Sequence, residues 1–190
     1  MVPAATAIRR ARFAALLGSV ALVACGGACG GAPARSDRTR AALERYLAQV
    51  EPIRLGVNRL LEGADPILSA LRLHRSTPDQ AAGRMGQLER RFAAYTVAVR
   101  AIKPGLPALG TLHARYAHTY LQEDAYLKAL TAGVARRNFD ALPHTEAVQR
   151  AAIIGWRDGL TVLARGANAA LPRDLQQAGR GEIAPSPGGS

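Results

Sequence analysis

The stretch from Leu109 to Val134, LGTLHARYAHTYLQEDAYLKALTAGV, decides the fold. Its residues Leu109, His113, Tyr116, Tyr120, Glu123, Leu127, Leu130 and Val134 recur in steps of four and three, the spacing that brings side chains onto one face of an α-helix. A helix of this length with a single apolar stripe has to bury that stripe, and other helices are the natural cover. Arg136-Arg137 closes the segment where cations suit the negative helix end.

Three further segments offer matching stripes. Leu43, Leu47, Val50, Val57, Leu61, Ala64, Leu68 and Leu71 form a sustained seam in which Arg54 fills the one interruption. Pro52 and Pro66 fall on its outward face, where they bend a helix without breaking its buried stripe. Asp65-Pro66 offers the alternative of two collinear pieces. Ser76-Thr77-Pro78-Asp79-Gln80 is a helix start, with Thr77 as N-cap, Pro78 at N1 and Gln80 closing a capping box. Behind it come Ala81, Met85, Leu88, Phe92, Tyr95, Val99 and Ile102, and Lys103-Pro104-Gly105-Leu106-Pro107 turns the chain. The last seam reads Leu142, Glu146, Gln149, Ile153, Trp156, Leu160, Leu163, Ala167 and Ala170, stopped by Leu171-Pro172. Nothing alternates with period two for long enough to make a strand. The expectation is an all-α chain, an antiparallel up-down-up-down four-helix bundle over residues 37–173, roughly 40–50 Å long at about 1.5 Å per residue.

Ahead of the bundle, Arg9, Arg10 and Arg12 precede an apolar run from Phe13 to Ala24. A positive segment before a short apolar one is the build of a secretory signal, too short for a spanning helix of about 20 residues. Leu22-Val23-Ala24-Cys25 resembles the lipobox of bacterial lipoprotein signal peptides. The resemblance implies cleavage between Ala24 and Cys25 and lipidation of Cys25 with palmitate-like chains. Two or three such chains hold stably where one holds marginally. It places the protein at the extracytoplasmic face of the cell membrane. The general secretory route is favoured, since Phe13 sits one place late for the twin-arginine motif. The expected domains are a signal peptide at 1–24, a Gly, Ala and Pro tether at 25–36, the bundle, and a Gly/Pro tail at 174–190 that is disordered or draped on the bundle. With Cys25 acylated, Cys29 has no intramolecular partner. It is either a spare thiol or a site of second acylation or intermolecular pairing.

The full chain carries 25 Lys and Arg against 14 Asp and Glu, a net +11. Losing the leader removes three of the arginines and none of the acids. A basic domain held at a membrane is drawn to anionic lipid or anionic wall polymer. Nucleic acid is not expected for an exported chain with 5% aromatic residues and no recognition motif.

Polar residues interrupt the apolar interior mainly between His113 and Glu123. Counting from the turns sets Glu123 level with Trp156, His113 near Tyr95 or Val99, and Arg54 in the layer of His113. Arg54, His113, Tyr116, Tyr120, Glu123 and Trp156 are thus the candidate ligand-binding set, for a small molecule or a metal. The same residues read first as a satisfied polar layer that fixes helix register. His113 and His118 lie about 140° apart around a helix, and no Glu-x-x-His pair occurs, so neither a metal site nor any other cofactor is expected. Gly-x-Ser-x-Gly, phosphate-loop and His-Glu-x-x-His motifs are missing, so catalysis is not expected. The reading is a lipid-anchored, non-enzymatic structural or interaction protein of the cell envelope. The alternative is a ligand-binding bundle using the polar stripe.

Overall fold

A computed structural model of the chain describes residues 31–176 together with 183 and 187, with side chains from 35 onward. The leader, Cys25, Cys29 and most of the Gly/Pro tail lie outside the described residues. Among the described residues every regular element is helical: α1 (Gly31–Leu61), α2 (Ala64–Arg72), α3 (Pro78–Ala101), α4 (Pro107–Arg136), α5 (Glu146–Ala167) and α6 (Arg173–Gln176). α1 begins inside the stretch expected to be tether. Ala32, Ala34 and Arg35 are good helix formers and extend the helix backward.

The first seam is carried by two helices. Pro52 stays inside α1 on its exposed face. Pro66 sits in the first turn of α2, where a missing N–H costs nothing because such groups have no intrahelical acceptor. Glu62 and Gly63 form the break, yet the buried stripe continues across it through Leu61, Ala64 and Leu68. The α3 start follows its sequence: Thr77 Oγ1 accepts from the Gln80 N–H at 3.2 Å and Gln80 Oε1 from the Thr77 N–H at 3.0 Å.

α3 packs against α1, α2 and α4, while α5 packs against α1, α4 and α6. In α4 every seam position from Leu109 to Val134 is buried. Elsewhere the buried stripe drifts from the expected register. Thr96 is buried and Tyr95 half-exposed, and Ala164 rather than Leu163 is buried. An α-helix turns every 3.6 residues, so a strict seven-residue repeat slides about 20° per heptad off its buried face. The same drift brings Ala42 and Tyr46 into the core beside Leu43.

α5 is shorter at both ends than its seam suggests. It opens at Glu146, which is exposed in the first turn, and leaves Leu142 half-buried in the preceding loop. It closes at Asn168, left-handed at φ 50°, where the Ala169 N–H donates to the Ala164 carbonyl at 2.9 Å. That closing bond ends the helix before Ala170, which is exposed. The stretch expected as tail, 174–190, begins inside α6. α6 docks there, with Leu175 only 3% exposed against the core. One leucine and one carboxylate with partners hold a turn that composition alone reads as tail.

Candidate functional site

The polar residues of α4 face a cluster whose centre is Tyr46 of α1. Trp156 of α5 donates its Nε1–H to the Tyr46 hydroxyl at 2.9 Å, and that hydroxyl lies 3.1 Å from His113 Nδ1. An indole nitrogen can only donate, so the Tyr46 oxygen accepts there and its own proton is free for Nδ1. Which of the Tyr46 hydroxyl and His113 Nδ1 donates to the other follows from the imidazole tautomer. The Tyr46 and His113 rings meet edge to face at 5.5 Å.

Stacking ties the same layer across three helices. The Tyr116 and Trp156 rings lie nearly parallel, 4.0 Å apart, and the Tyr116 hydroxyl is 3.1 Å from that of Tyr120. Tyr120 stacks in turn on Phe92 of α3 at 5.7 Å. One layer along, Gln149 of α5 donates Nε2–H to Glu123 Oε2 at 2.9 Å and to the Thr119 carbonyl at 3.3 Å. Its Oε1 accepts from the Thr145 hydroxyl at 3.2 Å. Backbone and side-chain bonds thus meet the polar demand of a buried amide and carboxylate.

The layers differ from those counted from the turns. Trp156 is level with Tyr116, and Glu123 with Gln149, because the chain doubles back directly after α4, where the Asn138 N–H donates to the Gly133 carbonyl at 3.0 Å. His113 does lie by Val99, whose backbone acts on the ring. Arg54 is not in the His113 layer. It reaches the other way, bonding Glu51 Oε1 through Nε at 3.0 Å and Oε2 through Nη2 at 2.8 Å, and pairing with Asp174 of α6. Sequence reasoning missed Tyr46, which lies one residue off the heptad seam, and Asp174, whose partner is distant in sequence.

Burial favours the neutral forms of Tyr46, Tyr126 and His113. Burial raises the Tyr46 hydroxyl well above its usual range, the Trp156 bond opposes this, and the charge of Glu51 adds to it. Burial likewise pushes Tyr126 up to about 12, with Glu123 and Glu146 adding to the effect. Burial holds His113 below the ordinary histidine value, against the Val99 backbone, and nearby Lys103 lowers it further. For Arg54 burial works against the charge, but Glu51 and Asp174 outweigh it and hold the guanidinium ionised.

All six candidate residues are buried, with His113 the most exposed at 6%. A solvent-borne ligand would have to part the helices to touch them. The arrangement locks α1, α3, α4 and α5 in register through bonds that each need an exact axial position. Among the described residues no group of three or more His, Cys, Asp or Glu is placed to hold a metal ion. Comparison of the chain with protein-family models, with curated proteins and with solved structures finds no match.

Proposed function

We propose that the protein is a lipoprotein of the cell envelope, anchored at the extracytoplasmic face of the membrane through acyl chains on Cys25, with a non-enzymatic structural or interaction role. The observation that carries this reading is Leu22-Val23-Ala24-Cys25 behind a basic segment and a short apolar run. Among the described residues no helix is long and apolar enough to cross a membrane, so on this reading attachment falls to the acylated cysteine. The interior supports a structural role, since Tyr46 and Trp156, Tyr116 and Tyr120, and Glu123 and Gln149 are bonded to one another and shielded from solvent.

We further propose that the four long helices form an up-down-up-down antiparallel bundle. Contacts between neighbours run in opposite order: Tyr116 with Trp156 and Thr119 with Gln149 between α4 and α5, Gly86 with Thr131 and Phe92 with Tyr120 between α3 and α4, and Arg40 with Ala167 and Tyr46 with Trp156 between α1 and α5.

Cell fractionation tests the anchor. Cys25→Ala should move the protein from the membrane to the soluble fraction, and mass spectrometry of the native N-terminus should find an acylated cysteine. An unmodified thiol, or unchanged membrane retention of the variant, contradicts the proposal.

A further inference from the structure

The break between α1 and α2 opens a groove of about 760 Å³ against α3, within the roughly 300–1,000 Å³ of small-molecule sites. Its rim carries Arg59 from α1 and Arg84 and Arg91 from α3. The two α3 arginines are seven residues apart, so they share a face about 10 Å apart along the axis. No carboxylate lines the groove, and among the described residues none of the three arginines makes an ion pair, unlike Arg40 and Arg54. The floor is apolar, formed by Leu60, Ile67 and the half-buried Tyr95. Gly56 makes that floor possible: a Cβ there would sit 2.5 Å from the Tyr95 hydroxyl oxygen.

Three cations without counter-charges around a greasy floor describe a complementary ligand. It carries an anion that several guanidinium groups can chelate, joined to an aliphatic part that covers Leu60 and Ile67. We propose that this groove binds an anionic amphiphile, an acylated phosphodiester of the phosphatidylglycerol type, with the phosphate between Arg59, Arg84 and Arg91 and the hydrocarbon along the floor. A wholly polar phosphate polymer or a free anion leaves the floor wet and does not fit as well. This proposal does not depend on where the chain is anchored, since the groove belongs to the folded domain.

Isothermal titration of the full-length chain bearing Cys25→Ala, which keeps acyl chains of its own out of the assay, tests it directly. The probes are dihexanoylphosphatidylglycerol below its micelle concentration, dihexanoylphosphatidylcholine and inorganic phosphate. Saturable binding is expected for the first, at least tenfold weaker for the other two. R59Q/R84Q/R91Q, all on exposed side chains, should weaken phosphatidylglycerol binding at least tenfold while the thermal midpoint holds. R45Q/R115Q/R150Q, which removes equal charge from other exposed positions, should leave it within about twofold. Equal binding of the choline lipid would overturn the role of the arginines, and equal binding of inorganic phosphate the role of the floor. No saturable binding, or an undiminished groove variant, would overturn the site.

Discussion

Trp156 and Tyr46 stand 110 positions apart in the chain, and the indole N–H of one donates to the hydroxyl of the other at 2.9 Å inside the core. The bond sets the height of α5 against α1, and the same hydroxyl extends it to His113 on α4 at 3.1 Å. Tyr46→Phe keeps the ring and its volume but leaves a buried indole donor and a buried imidazole nitrogen without that partner. The variant should lose about 1–3 kcal/mol, read as a lower urea midpoint with an unchanged slope. A midpoint equal to the parent's would mean that the hydroxyl contributes nothing to register.

Acid should weaken the fold through His113. Burial, opposed by Val99 and reinforced by Lys103, holds the folded imidazole below its usual value. As pH falls through about 6.5 the unfolded chain takes up a proton that the folded chain refuses. Between that pH and the lower folded value the unfolded state binds more protons, so stability falls as pH falls. Urea midpoints measured from pH 8 to pH 5 should be level above about 7.5 and decline below 6.5, and His113→Gln should flatten the decline. Asp174 acts lower. Burial, which would raise its carboxyl, is outweighed by Arg54, and the resulting stability is lost only below about pH 4. A midpoint that rises on acidification to pH 5 would contradict the assignment to a neutral, buried imidazole.

Two helix glycines should respond to alanine with opposite sign. A Cβ at Gly133 would meet the Asn138 carbonyl oxygen at 2.7 Å and the Phe139 ring at 2.9 Å, whereas one at Gly155 has nothing within 4 Å. Gly155→Ala should therefore stabilise by about 0.5–1 kcal/mol through the lower backbone entropy of alanine in a helix. Gly133→Ala has to move backbone and should lower the thermal midpoint. Matching shifts in the two variants would place the loop after α4 away from Gly133.

The docking of α6 can be measured at Leu175, which is 3% exposed. Leu175→Ala should cost about 2–4 kcal/mol, as expected for a buried leucine truncated to alanine. A residue in a free tail would give no change in the urea midpoint, and that result would remove α6 from the folded domain.

Leu61, 2% exposed where the buried stripe passes from α1 to α2, gives the most severe variant. Leu61→Asp places a charge without a partner in the core and should cost several kcal/mol, enough to unfold a domain of ordinary stability. Retained helicity by circular dichroism with an unchanged midpoint would show that this side chain faces solvent.

Much of the fold was legible because helical periodicity is a local property. The α4 stripe, the Thr77 capping box and the turn around Pro104 each depend on residues a few positions apart, and each forms as its sequence reads. The candidate site was legible only as a face. Seam spacing shows that His113, Tyr116, Tyr120 and Glu123 point inward, and all four are buried, but it carries no information about axial height.

By itself, then, the sequence determined that the chain is helical, which stripes face the interior and where α3 begins, because capping and 3.6-residue periodicity act within a turn or two. Only the tertiary structure decided that Trp156 meets Tyr116 and Tyr46 rather than Glu123, and that Arg54 turns away to Asp174. Those pairings depend on how far each helix slides along its neighbours. Loop length and the interlocking of buried side chains set that slide jointly, across more than a hundred residues of chain.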